Sequence, residues 1–325
     1  MLPEEQIEDG SRAPGLQGGA SDLLAAAAGG RTLAHEAAKQ GALPKDFNQW
    51  DAADENGWSV AHEAALFGKL PPEFNQWELM SKEGLSVAHV AAKKGELPAS
   101  FNQWQIAPSK TGWSVAHEAA RAGTLPASFN TLHLANSTGW TIAHILAAEK
   151  KLPENFNQWE LADRHGWSVA HQAAQKGPLP ASFSQWHLST TFGWTVAHEA
   201  AFRGHLPKDF NQWELADEFG RTVAHIAAEF SHLPQDFNQW ELADNNGRTV
   251  AHVAAGAGYL PPGFKQWALA DNNGRTVAHE AAARGILPAD FDQWELADNT
   301  GRTVEQEAAE SGHLPPGFNR RGSWR

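Results

Sequence analysis

Hydrophobic and polar positions along this chain follow one pattern that recurs about every 27 residues from Gly30 onward. Each repeat reads G-x-T/S-V-A-H-x-A-A-x-x-G-x-L-P-x-x-F-x-Q-W-x-L-A-D-x-x. The repeats begin at Gly30, Gly57, Gly84, Gly112, Gly139, Gly166, Gly193, Gly220, Gly247, Gly274 and Gly301. The spacing is 27 except from Gly84 to Gly112, where the loop Pro108-Ser109-Lys110-Thr111 makes it 28. A fixed period of this size predicts a stacked array in which each repeat buries its apolar face against its neighbours. Such arrays offer surface for binding and rarely enclose an active site.

Within one repeat, Gly247 to Asn273, the local chemistry predicts the elements. Asn245-Asn246-Gly247-Arg248 is turn chemistry, with Asn and Gly able to take positive φ. Thr249 stands where a helix N-cap belongs, and Val250-Ala251-His252-Val253-Ala254-Ala255 supplies about two helical turns. The paired alanines let neighbouring helices approach closely, and Gly258 sits where a C-cap needs left-handed geometry. Leu260-Pro261 then predicts a second, shorter helix with Leu260, Phe264 and Trp267 on one apolar stripe. Each repeat is therefore expected as helix, tight turn, shorter helix and loop. The whole is an all-α, elongated solenoid of stacked helix-turn-helix repeats.

The ends depart from the pattern. Residues 1–20 are rich in Gly, Glu and Pro and read as a flexible leader. Ser21-Asp22 ahead of Leu23-Leu24-Ala25-Ala26-Ala27-Ala28, closed by Gly29-Gly30, predicts a capping helix over 21–29. The array covers 30–319, its last repeat, 301–319, serving as a C-terminal cap, with 320–325 a tail. In that last repeat Glu305 and Gln306 replace the Ala-His pair of the ten repeats before it.

Composition narrows the function. Hydrophobic residues make up 42% of the 325, ample for burial in a stack. Cysteine is absent, so disulfides, thiolate metal sites and cysteine nucleophiles do not arise. A formal net charge of −13 opposes attraction to nucleic acid or anionic membrane, both of which need clustered Lys and Arg. No secretory signal peptide is visible in the first 20 residues, and no run approaches the 18 apolar residues of a membrane span. A soluble, acidic, cytoplasmic protein is expected.

The first half of the repeat, G-R-T-V-A-H-x-A-A-x-x-G at Gly247–Gly258 and, with Ser last, at Gly220–Ser231, resembles the ankyrin repeat. That family carries G-x-T-P-L-H-x-A-A-x-x-G in the same register. Here Val replaces the Pro and Ala the Leu, while the turn Asp-x-x-Gly-Arg-Thr is retained at Asp271–Thr276 and Asp298–Thr303. The second half differs: the ankyrin unit runs 33 residues with a longer second helix, whereas this one uses L-P-x-x-F-x-Q-W. The resemblance covers 30–325 and implies an ankyrin-like array with a shortened second helix, acting as a protein-binding scaffold. It also implies the role of His35, His62, His89, His117, His144, His171, His198, His225, His252 and His279: hydrogen bonds to the helix-start Ser/Thr and to the backbone of the neighbouring turn.

Other chemistry fits poorly. Stacked helices lie roughly 8–10 Å apart, too far for adjacent imidazoles to share an ion at bond lengths of about 2 Å. No metal or other cofactor is expected. Ser59, Ser86, Ser114, Thr141 and Ser168 precede a His by three residues, but repetition in nearly every repeat marks capping, since an enzyme needs one optimised constellation. No G-x-S-x-G, P-loop or H-E-x-x-H occurs. No enzymatic activity is expected.

Two Trp series differ in meaning. Trp50, Trp77, Trp104, Trp159, Trp186, Trp213, Trp240, Trp267 and Trp294 share the Leu/Phe stripe and are expected in the core. Repeat four has Thr131-Leu132 instead. Trp58, Trp113, Trp140, Trp167 and Trp194 follow the turn glycine, a place filled by Arg31 in repeat one, by Leu85 in repeat three and by Arg221, Arg248, Arg275 and Arg302 later. The ankyrin resemblance puts this place on a projecting turn. Either the indoles form an interaction surface or they pack on one another along the edge. The variable residues after Ala-His, among them Glu118, Ile145, Gln172 and Glu199, and those after Ala-Ala, such as Phe202-Arg203, suit a surface selected by a partner, and equally suit drift at exposed sites.

The expected function is a non-enzymatic scaffold binding another protein through its inner-helix and turn surface. The residues assigned to it are Trp58, Trp113, Trp140, Trp167, Trp194, Glu118, Ile145, Gln172, Glu199, Phe202 and Arg203. A monomer is expected, with self-association through apolar edges as a rival. The alternative is a nucleic-acid-binding repeat protein whose variable positions each read a base. Neither nucleic acid nor membrane is the expected partner. The near-identical repeats also fit an ankyrin-type bacterial effector, which would place the protein in a host cytosol.

Overall fold

The computed structural model describes residues 22–24, 28–108, 111–316 and 318. The leader 1–20 and the tail 320–325 lie outside them. The chain divides into two bodies, Met1–Ser137 and Thr138–Arg325. The first holds α1 (Leu33–Gln40), α2 (Val60–Leu66), α3 (Val87–Lys94) and α4 (Val115–Ala122). The second holds α5 (Ile142–Ala148), α6 (Val169–Lys176), α7 (Val196–Arg203), α8 (Val223–Glu229), α9 (Val250–Ala257), α10 (Val277–Arg284) and α11 (Val304–Glu310). Among the described residues there are no strands, only isolated bridges such as Ala216↔Thr222 that close the turns. Inside each body every helix packs against its neighbours in sequence. The fold is an all-α repeat array.

Each helix begins and ends where its chemistry dictates. At α3 the four unpaired N–H groups of the first turn all find acceptors. Ser86 N–H donates to His89 Nδ1, Val87 N–H to Leu79 C=O, Ala88 N–H to Trp77 C=O and His89 N–H to Ser86 Oγ. At the other end Gly95 takes a left-handed conformation, and Gly95 and Glu96 N–H return to Ala92 and Ala91 C=O. Lys150 and Ser231 hold the same left-handed position without being glycine, at φ 58° and 60°.

The second helix expected over L-P-x-x-F-x-Q-W does not form in any repeat among the described residues. Two single turns stand in its place: Phe74 N–H bonds to Pro71 C=O at 3.0 Å and Leu79 N–H to Gln76 C=O at 3.4 Å. The reason lies in the helix that follows. The carbonyls of Trp77 and Leu79 must point at the start of α3, and a helix through them would turn those carbonyls back onto itself. The sequence Leu23–Ala28 likewise predicted a continuous helix. The described part is a single 3₁₀ turn, Asp22–Leu24, and a second one, Ala28–Gly30. Leu23 is buried against Ala34, Ala38, Phe47, Val60 and Ala64.

The core has two layers. Alanines and the helix-start valines, such as Ala197, Ala201, Val196 and Val223, are essentially inaccessible and let the helices close on one another. The single turns contribute rings. In the second body Phe183–Trp186 lie 4.9 Å apart, Trp186–Phe210 5.5 Å, Phe210–Trp213 5.0 Å and Trp213–Phe237 5.5 Å, all edge-to-face. Such pairs contribute about 0.5–1.5 kcal/mol each beyond area burial. The row in the first body ends at Trp104–Phe129, 5.6 Å, because Leu132 occupies the next ring position. In the second body it begins at Phe156–Trp159.

Trp213 therefore touches rings of its own repeat and the next. Trp213→Ala should cost about 3–5 kcal/mol, read as a lowered urea midpoint, whereas an equal midpoint would show the row to be dispensable.

Candidate functional site

The histidines come first because the repeats that carry one share the same arrangement. His198 Nδ1 accepts from Thr195 N–H at 3.1 Å and from its hydroxyl at 2.7 Å, while Nε2–H donates to Arg221 C=O, 2.9 Å away in the next repeat. A carbonyl can only accept, so the proton sits on Nε2 and the ring is neutral. Thr222 and His225 repeat this geometry on Arg248 C=O, Ser59 and His62 on Leu85 C=O. Both ring nitrogens are thereby engaged, as the ankyrin resemblance implied, and the paired hydroxyls act as helix caps. In α11 the substitute Gln306 keeps one half of this role, its Oε1 accepting from Thr303 N–H.

Burial holds seven of these imidazoles below their ordinary pKa: His62, His89, His144, His171, His198, His225 and His252, with His171 lowered to about 4. Desolvation is the main cause, and the carbonyl bond and nearby carboxylates such as Asp163 oppose it.

The post-glycine tryptophans are half-buried, and each lies on the imidazole of its own repeat. Ring separations are 4.9 Å for Trp58–His62, 5.1 Å for Trp113–His117, 4.5 Å for Trp140–His144 and 5.1 Å for Trp167–His171 and Trp194–His198. The indole N–H donates to the residue after the histidine: Trp58 to Glu63, Trp113 to Glu118, Trp167 to Gln172 and Trp194 to Glu199. Glu118, Gln172 and Glu199 are consequently buried beneath the indoles, and Ile145 is buried as well.

Arginine replaces tryptophan by continuing the same row in charge. Arg31 pairs with Glu63 at 3.0 Å, Arg275 with Glu280 at 3.1 Å and Glu307 at 3.2 Å, and Arg302 with Glu307 at 2.7 Å. Of the four turn aspartates suited to neutralising these arginines, Asp217 alone among the described residues forms the pair, with Arg221 at 2.9 Å. Asp244, Asp271 and Asp298 instead accept backbone N–H groups of their own turns.

One stretch of the second body gathers exposed apolar surface. Phe192 and Phe219, each just before a turn glycine, are 61% and 56% exposed. Their turns are joined by Glu218 N–H to Phe192 C=O, and Gly193 is needed there: its φ is 75°, and a Cβ would meet Glu218 N at 2.8 Å. The Arg221 guanidinium lies 5.8 Å from both the Trp194 and Phe219 rings. Trp194 bonds Glu199, Glu199 pairs with Arg203 at 3.1 Å, Arg203 covers Phe202 at 4.6 Å, and Phe202 meets exposed Phe230 at 4.6 Å. Trp194, Glu199, Phe202 and Arg203 of the expected set are thus brought together. Trp58, Trp113 and Glu118 stand in the first body. Phe192, Phe219, Phe230 and Arg221 were missed as site residues; for Phe192 and Phe219, a phenylalanine at a turn tip where other repeats carry Gly, Asn, Thr, Glu or His was the available signal.

No protein-family model and no curated protein matches the chain. Among solved structures, the ankyrin repeat domain of Bcl-3, a member of the IkappaB protein family, is similar over 53% of this chain and 95% of its own, with a TM-score of 0.38 and 15% identity. No helix among the described residues is long and apolar enough to cross a membrane.

Two outcomes follow from this geometry. A folded-state pKa below the unfolded one means the unfolded chain binds more protons between the two values. Stability should hold above pH 6.5 and fall as pH drops toward 4, by on the order of 1.4 kcal/mol per pH unit from His171, with His62, His89, His144, His198, His225 and His252 acting in the same direction. Urea midpoints at neutral and mildly acid pH would check this, and a flat profile would contradict the neutral-ring assignment. Trp167→Ala should destabilise by about 1–3 kcal/mol, since it strips the imidazole of its cover and leaves buried Gln172 without the indole donor; an unchanged thermal midpoint would place that indole outside the packing.

Proposed function

We propose that the chain is a non-enzymatic protein-binding array and that its docking surface centres on repeats seven and eight. What supports this is the exposure of Phe192 and Phe219 on adjoining turn tips, continuous through Arg221 and Trp194 with Phe202, Arg203 and Phe230. Folding does not require phenylalanine at a turn tip, since Asn246 and Asn273 hold the same place in following repeats. Exposed aromatics rimmed by arginine are the composition of a binding hot spot, in which rings bury against the partner and guanidinium groups set orientation. The half-buried indoles of repeats five and six, Trp140 and Trp167, extend the surface as supports.

The test uses protein captured from lysate by the full chain, then purified and titrated against it. Phe192→Ala/Phe219→Ala should leave stability within about 0.5 kcal/mol, because both side chains are largely solvated, and should weaken binding at least about tenfold, the usual loss at a hot spot. Undiminished affinity in that variant, or enrichment of nucleic acid and no protein, would overturn the proposal.

A further inference from the structure

We infer that the C-terminal ends of α5 and α6 frame a cleft that takes the side chain of a tyrosine from an acidic segment of a partner protein. The cleft shares no residue with the aromatic patch above and does not depend on it. In the second body the residue after the helix-end glycine does two things. Its N–H returns to the first alanine of the pair in its own helix, as His205 does to Ala200 C=O, His232 to Ala227 C=O and Tyr259 to Ala254 C=O. Its side chain reaches back to the second alanine of the repeat before. His205 Nδ1–H donates to Ala174 C=O at 2.8 Å, His232 Nδ1–H to Ala201 C=O at 2.8 Å, and Tyr259 O–H to Ala228 C=O at 2.7 Å.

Repeat six has Pro178 at this place, with neither an N–H nor a side-chain donor. Gly177 N–H takes Ala173 C=O instead, at 3.1 Å, and Gly177 runs extended at φ 171°. Beside it lies a cleft of about 240 Å³ whose lining includes Ala147, Lys150, Trp159, Ala173, Lys176 and Pro178. Sites for whole small molecules run to about 300–1,000 Å³, so this one suits a single side chain. Ala173 is half-buried, whereas its counterparts Ala200, Ala227, Ala254 and Ala281 are essentially inaccessible. Ala147 C=O corresponds to the carbonyls that His205, His232 and Tyr259 reach. It accepts Lys150 N–H at 3.1 Å, and no side chain among the described residues donates to it.

Two features select the occupant. Where histidine reaches back over a helix-end glycine, it leaves no room for a larger residue there. A Cβ on Gly204 would meet His232 Nε2 at 3.0 Å, and one on Gly285 would meet His313 Cδ2 at 2.8 Å. Where tyrosine does so, the corresponding residue is Ser231, which carries a Cβ in the same left-handed conformation. Lys150 is the one other non-glycine residue of positive φ among the described residues, so its cleft matches the tyrosine version. The incoming phenol donates to Ala147 C=O as Tyr259 does to Ala228 C=O, with its ring beside Trp159 and Pro178. The second feature is charge. Lys150, Lys151 and Lys176 are exposed and belong to no ion pair among the described residues, and no carboxylate lines the cleft. Lys150 Nζ stands at its rim, 3.8 Å from where a Cβ on Gly177 would lie. A positive rim in a chain of net charge −13 favours acidic residues beside the tyrosine.

The experiment is fluorescence anisotropy of labelled peptides with the full chain at about 0.15 M salt, where charges beyond about 8 Å are largely screened. An Asp-Glu-Tyr-Glu-Asp peptide should bind at least about fivefold more tightly than the same peptide with Phe or His at its centre, since only the phenol both fits and donates. It should also bind more tightly than Gly-Ser-Tyr-Ser-Gly. Lys150→Ala/Lys176→Ala should weaken the complex about threefold or more with an unchanged thermal midpoint. Pro178→Tyr supplies the N–H and the phenol from within the chain, and should raise the midpoint and abolish binding. Phe192→Ala/Phe219→Ala should leave binding unchanged. Equal affinity for the tyrosine and phenylalanine peptides, or for acidic and neutral flanks, would overturn the proposal. So would failure of the acidic tyrosine peptide to bind, indifference to the lysine pair, or dependence on the phenylalanine pair.

Discussion

Within each body, a neutral imidazole that accepts at one nitrogen and donates at the other fastens a repeat to itself and to the next. His198 closes the cap of α7 through Thr195 and, from the far side of the ring, holds the turn of repeat eight by Arg221 C=O. Placing that turn places residue 221, and through it the guanidinium between Trp194 and Phe219. Because the ring is buried, either bond lost would leave a polar atom without water or partner, a cost of about 1–3 kcal/mol. The alanines next to it complete the constraint by leaving no bulk to hold the helices apart.

The period, the helix starts and the glycine ends were legible because each is fixed by neighbours within a few residues. Thr249, Val250 and Gly258 sit where capping chemistry alone would put them. The L-P-x-x-F-x-Q-W segment was not legible. Leu260, Phe264 and Trp267 have helical spacing, but the carbonyls of Trp267 and Leu269 are committed to Ala278 and Val277, a demand set by a helix still to come. Local periodicity was overruled by a hydrogen-bond account that only the folded chain closes.

The binding surface was half legible for a similar reason. Variation between repeats at the position after the histidine suggested solvent, yet Glu199 and Gln172 are buried because the indole above them leans over and takes their oxygens. Trp58 with Glu63, Trp113 with Glu118, Trp167 with Gln172, Trp194 with Glu199 and Arg275 with Glu280 are matched pairs along this row, so variation there records partners inside the chain. Phe192 and Phe219 vary without any such internal match. Variability unaccompanied by a compensating neighbour is the better mark of an outward role.

The way each helix start is satisfied gives the array a direction. Val223 and Ala224 of α8 take carbonyls from Leu215 and Trp213, eight and eleven residues upstream, while His225 waits for Arg248, which follows 23 residues later. A repeat leaving the ribosome therefore already possesses what it needs to begin its helix, and lacks only the turn that will lock it. Order can pass along each body from its N-terminal side as an advancing front, one repeat deep, with a single unlatched edge at any moment. The exposed apolar surface that invites misassembly in large proteins is confined, during synthesis, to that one edge.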